Sequence, residues 1–227
     1  MYQCGETNLK QKNKMNKTSS KIYLLFWLVL VLIFIGFYKT YFGLFPNFVG
    51  IKNIHHFHAL MFLCWVAFLI IQPILIRKKR MEWHRMVGKA SYLLVPMLLF
   101  SVALVVRNEQ LRTKNLLNLT FVFSDMSFFL LMYGLAIYYI RRTPYHARFM
   151  VMTILPFINP SVARISPGFP TVLIGLAIII GLLIFERFRT KVYRPLVVGL
   201  VAMFVFYGGY SLLPPTFWNA VWQVFFS

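Results

Sequence analysis

Two sets of residues in this 227-residue chain have the types and spacing to do chemistry. The first is built on His84 and His146, each followed closely by an arginine (Arg85 and Arg148). Two neutral imidazoles facing each other across a helical bundle can supply both axial ligands of a haem iron. Gly88, four residues after His84 and therefore on the same helical face, removes a side chain where a porphyrin needs a flat slot. Arg85 and Arg148 are placed to meet the two propionates. Gln72 lies one turn above the end of the preceding apolar stretch, at the same level. The same residues also suit a second use, as interfacial anchors at helix mouths, with Gly88, Ala90 and Ser91 letting helices pack closely.

The second set is His55 and His58, spaced i, i+3 on one helix face, with Asp125, Asn159 and Arg164. Asp125 falls about 9 residues, or roughly 14 Å, into an apolar stretch. A carboxylate there needs a partner. Arg164 is the expected counter-ion, with His58 as a third member. Such a group either locks three helices together or forms a pocket for a polar or acidic ligand, a proton path or a metal site. Pro156 and Pro160 each remove a backbone N–H and free a carbonyl, and Asn159 lies between them.

The elements that must position these residues follow from composition. Hydrophobic residues make up 59% of the chain and the mean hydropathy is +0.70, which suits a chain with the bilayer as its solvent. Seven stretches approach the roughly 20 apolar residues that cross a bilayer: 22–43, 54–76, 86–106, 116–140, 146–165, 170–186 and 195–213. Their lack of alternation excludes an outer-membrane barrel. Pro156 and Pro160 interrupt the fifth.

The net charge of +19 does not indicate nucleic-acid binding, because the charges follow the topology. The N-terminal tail holds five Lys or Arg, segment 77–85 five, 141–148 three and 187–194 four; the alternate ends hold Lys39, Lys52, Arg107, Arg112, Lys114 and Arg164. Seventeen against six predicts a cytoplasmic N-terminus and an external C-terminus. Residues 1–21 read as a disordered basic cytoplasmic tail, 22–213 as the transmembrane domain with a four-helix core over 54–166, and 214–227, with two tryptophans, as an interfacial tail. Cys4 and Cys64 are too differently placed to pair.

The order HHFHALM, IQP followed by a basic run, HRMVGKASY, YHARFM and NPSVAR resembles a bacterial family of predicted integral membrane proteins of unknown function. That family's pattern is HA…Q…HRxxG…HxRxM…R. His58, Gln72, His84, Arg85, Gly88, His146, Met150 and Arg164 correspond, over about residues 55–164. More distantly, the central helices resemble the four-helix b-type cytochromes, among them the ascorbate-reducible and ferric-reductase-like proteins. That likeness implies haem b between His84 and His146, membrane electron transfer, and a quinone or small polar reductant as partner. It implies no second haem, because the fourth stretch has no histidine to oppose His58 and offers only Met126.

A second resemblance, to the seven-helix zinc hydrolases of the adiponectin-receptor and ceramidase superfamily, draws on His58, Asp125 and Ser124 or Ser127. The seventh stretch lacks the two histidines those enzymes supply. A small-molecule transporter or an assembly subunit is the third class. The reading is therefore an all-α polytopic protein with about seven membrane helices, in the bacterial inner membrane. Its preferred function is haem-based electron transfer, and the oligomeric state is open.

Overall fold

The computed structural model describes residues 24–113, 117–189 and 191–226; the basic tail expected over 1–21 lies outside them. Among the described residues the chain is helical with no strands. The helices are α1 (Leu24–Tyr38), α2 (Asn53–Arg77), α3 (Met81–Thr113), α4 (Leu117–Tyr138), α5 (Thr143–Met152), α6 (Leu155–Ile165), α7 (Val172–Arg189), α8 (Arg194–Ser211) and α9 (Pro215–Phe226). A single 3-10 turn, Phe42–Leu44, follows α1. Four helices are long and apolar enough to cross a membrane: α2, α3 over Met81–Glu109, α4 over Leu119–Tyr138, and α8.

The expected fifth span, 146–165, is two short helices. At Thr153 and Ile154 the backbone stays right-handed but its hydrogen bonds tighten to three-residue turns (Thr153 to Met150, Ile154 to Val151), and Pro156 then occupies the first turn of α6, where its missing N–H breaks no intrahelical bond. Thr153, fully buried, donates its hydroxyl to the Met150 carbonyl (2.7 Å), binding one of the acceptors left at the end of α5. Pro160, inside α6, does remove one helical hydrogen bond.

The chain divides into two compact units, Met1–Val31 with Lys52–Ser101, and Leu32–Ile51 with Val102–Ser227. The first is an antiparallel hairpin of α2 and the first two-thirds of α3. Arg77 ends α2, and Lys79 takes a left-handed conformation (φ 56°) that reverses the chain. Trp65, Val66, Leu69, Val95 and Leu98 are buried there. Side-chain hydrogen bonds bind the hairpin at both ends: His58 to Ser101, and Gln72 to the His84 carbonyl.

In the second unit, Leu119, Phe128, Phe129, Met132, Phe149, Phe157 and Ile179 are buried. Glycine sets two close approaches. A Cβ on Gly36 would lie 2.6 Å from the Ser161 carbonyl oxygen, so the end of α1 can approach α6 only without a side chain. A Cβ on Gly199 would strike the Met152 sulfur, so a side chain on α8 where it passes α5 would require that flexible methionine to shift. Along α8 the turn Phe204–Gly208 is π-helical, a widening of the helix by one residue, and such turns concentrate at functional sites.

Candidate functional site

The second unit brings together the polar groups that an apolar bundle is least able to leave unsatisfied. Asp125 lies on α4, Asn159 on α6 and Tyr207 on the π-helical turn of α8. The Asn159 amide nitrogen donates to Asp125 Oδ1 (2.7 Å) and to the Tyr207 hydroxyl (3.1 Å). The Tyr207 hydroxyl in turn donates to Asp125 Oδ1. Three helices thus meet in a closed triangle whose only formal charge is the carboxylate. The geometry fixes the amide orientation: with its oxygen toward Asp125, Asn159 would set two acceptors against each other. Both amide hydrogens are therefore committed, and Asn159 Oδ1 is buried with no hydrogen-bond partner among the described residues.

The neighbouring turns of α4 bind the same stretch of α8. Ser124, 1% exposed, shares its one hydroxyl hydrogen between the Thr120 carbonyl on its own helix (2.8 Å) and the Phe206 carbonyl on the π-helical turn (3.1 Å). Ser127 meets the Tyr210 hydroxyl at 3.1 Å. Tyr210 also packs edge-on against Trp218 of α9, which is buried at 4% exposure and close to Phe123 as well. The interfacial tail expected over 214–227 is thus anchored by Trp218 beside the polar network.

Asp125 and Asn159 come together, but Arg164 is not the counter-ion the sequence suggested. Its guanidinium donates to the Pro160 carbonyl four residues back (2.8 Å) and lies 4.1 Å from the Phe37 ring centroid. Its own helix, an aromatic face and the charge of Glu109 hold the guanidinium, while the Asp125 carboxylate is met by two neutral donors. His58 is also occupied elsewhere. Its Nδ1 lies 3.1 Å from Ser101 Oγ, whose one hydrogen goes to the Leu98 carbonyl (2.7 Å). His55 accepts from the Lys52 backbone N–H (3.1 Å) and so helps begin α2.

The residues expected to hold haem fall in both units. In the first, His84 is half-buried one turn into α3, and Arg85 beside it is exposed. The Gln72 amide nitrogen donates to the His84 carbonyl (3.3 Å) and would lie 3.9 Å from a Cβ on Gly88. The face that Gly88 keeps clear is thus approached by Gln72, which qualifies the reading of Gly88 as a porphyrin slot. In the second unit, His146 Nδ1 lies 2.8 Å from the Ala136 carbonyl oxygen. A carbonyl can only accept, so Nδ1 carries the proton and Nε2 holds the lone pair. Arg148, expected at a propionate, instead donates to Glu186 (2.7 Å) and to the Pro144 carbonyl (2.7 Å).

Tyr207 and Glu186 are the two site residues that sequence reasoning missed. A phenol seven residues from the end of an apolar segment needs a hydrogen-bond partner, and that was the available signal. Glu186 sits where the sixth stretch meets its basic end, and its small distance from Arg187 and Arg189 in sequence masks a partner on another helix. Among the described residues no group of three or more His, Cys, Asp or Glu lies together to hold a metal ion, so the zinc-hydrolase likeness finds no ligand set. Comparison with protein-family models, curated proteins and solved structures returned no match.

Proposed function

We propose that this protein is a proton-coupled carrier of the bacterial inner membrane, working through Asp125 in its second unit. In this reading seven segments cross the membrane with the N-terminus in the cytoplasm and the C-terminus outside, a topology supported by the seventeen-to-six asymmetry of basic residues. α5 and α6 together form the fifth crossing, broken at Thr153 and Ile154.

The observation that supports this reading is the triangle of Asp125, Asn159 and Tyr207. A carboxyl inside a membrane bundle marks an ion or proton pathway by default. Among the described residues this one is held by two neutral donors and no cation, so taking up or losing a proton changes the charge of the site outright. The parts around it suit movement: a broken helix, a proline in α6 and a π-helical turn in α8. Irregular backbone beside a polar group within a membrane is the usual construction of a transporter site.

The test is proton flux into proteoliposomes loaded with a pH-sensitive dye, under an imposed membrane potential. Wild-type protein is expected to raise the rate above that of empty vesicles, and Asp125→Asn to return it to that level. Equal rates for wild type and Asp125→Asn would sink the reading.

A second reading, an electron-transfer protein with haem b held through His146, keeps one favourable observation. The Nδ1–H of His146 is bonded to a backbone carbonyl, the arrangement that orients an imidazole for metal binding through Nε2. The bound group would supply one-electron chemistry, with a quinone or small polar reductant as partner. His146 would hold it, and Ala136 would hold His146. Absorbance of the purified protein, oxidised and then dithionite-reduced, decides this reading, with His146→Ala expected to remove any haem band.

A further inference from the structure

We propose that Asp125 and Asn159 form a binding site for a small monovalent cation, the species that exchanges with the proton in the carrier reading on which this inference rests. Asn159 is 8% exposed, and its Oδ1 has no hydrogen-bond partner among the described residues. A buried carbonyl left without a donor has lost its water and gained nothing in return. Both donors that reach Asp125 go to Oδ1, so Oδ2 takes no hydrogen bond among the described residues. Pro160, the next residue after Asn159, has no N–H, so the Pro156 carbonyl lacks its i+4 helical donor.

The site therefore offers oxygen acceptors, one of them charged, and no uncommitted donor from Asn159 or Tyr207. That chemistry rejects anions, which need donors. It also rejects neutral solutes rich in acceptors. A divalent ion such as calcium takes six to eight oxygens, usually with several carboxylates, and this network holds one. One negative charge with neutral oxygens beside it matches a single positive charge. The ligand is an alkali cation of about sodium's size or a small protonated amine, and both present the same chemistry to these oxygens.

The measurement is thermal unfolding of the full chain in detergent, at constant ionic strength, with choline chloride replaced stepwise by sodium, lithium, potassium or methylammonium chloride. A saturable rise in Tm with at least one of these cations is expected for wild type, and a flat response for Asp125→Asn. Comparing the alkali ions with methylammonium distinguishes a metal ion from an amine. Asn159→Leu removes the orphaned oxygen and is expected to flatten the curve. Should that variant fail to fold, the comparison of wild type with Asp125→Asn decides alone. An identical rise in wild type and Asp125→Asn, or none with any cation, overturns the proposal, the oxygen then holding no more than water. Proton flux that survives such a result leaves the carrier reading standing, and cation binding without proton flux does the reverse.

Discussion

Two carboxylates of the second unit, Glu186 and Asp125, are treated in opposite ways. Glu186 of α7 receives Arg148 of α5 at 2.7 Å, and the two side chains are 10% and 16% exposed. Asp125 of α4 receives a phenol and an amide. The first arrangement is complete, since each charge neutralises the other and Arg148 places a further hydrogen on the Pro144 carbonyl. The second is charge-incomplete, because hydrogen bonds from neutral donors stabilise a carboxylate without cancelling its charge. A complete pair fixes structure; an incomplete one leaves room for a proton or cation to come and go. That difference separates a lock from a working site, and it can be broken by substitution.

The largest effect belongs to the lock. Arg148→Gln leaves Glu186 with an uncompensated charge among apolar helices, and Glu186→Gln does the same to Arg148. Each single change is expected to lower stability by about 3–5 kcal/mol, the range for breaking a buried pair. The double change should be less harmful than either single one predicts, because no orphaned charge remains. Melting temperatures of the four proteins in one detergent check this. Simple additivity would show that the pair contributes nothing as a pair.

The triangle should respond more mildly. Tyr207→Phe deletes a donor to Asp125 and the acceptor for one Asn159 hydrogen, an expected loss of about 1–3 kcal/mol. Asp125→Asn keeps an oxygen where Oδ1 lies and removes the charge, so its stability change should be smaller than that of Tyr207→Phe while its effect on proton flux is complete. A carboxylate that served only to hold helices together would give the opposite order, large in Tm and absent in flux.

How much of this contrast the sequence could show depends on separation along the chain. Asp125 was visible at once, as a carboxylate inside an apolar stretch, and Asn159 was visible between two prolines. The helical class followed from unbroken apolar runs, and four of the seven stretches form helices long and apolar enough to cross. The partners were not visible. Tyr207 reaches Asp125 across 82 residues and Glu186 meets Arg148 across 38. Periodicity along one helix says nothing about which face of another it meets. A basic residue at the end of the fifth stretch made Arg164 the natural choice for Asp125, and the choice ignored the shorter path back to its own helix.

Gly88 is a smaller case of the same limit. Read on its own helix, it leaves a gap beside His84. In the hairpin, Gln72 comes from the neighbouring helix toward that gap and bonds the His84 carbonyl. Gly88→Ala puts a methyl at an ordinary 3.9 Å from the Gln72 amide and should be near neutral, within about 0.5 kcal/mol. Gly88→Leu would press the amide away and cost about 1–2 kcal/mol through the lost hydrogen bond and crowding. Equal tolerance of alanine and leucine would show that Gln72 does not need this space.

The smallest effect is the most informative about the site. With Arg164 paired to Asp125, the double variant Asp125→Asn/Arg164→Gln would recover much of what the single variants lose. The structure gives Arg164 other company. Its guanidinium caps the Pro160 carbonyl within α6 and rests 4.1 Å from the Phe37 ring. Arg164→Gln forfeits a cation–π contact of about 0.5–1 kcal/mol and one local hydrogen bond. Neither involves the triangle, so the losses from Asp125→Asn and Arg164→Gln should add to within about 0.5 kcal/mol. Proton flux should survive Arg164→Gln. A coupling above about 1 kcal/mol would restore Arg164 as the counter-ion of Asp125, complete its charge as Glu186 is completed by Arg148, and turn the working site into a second lock.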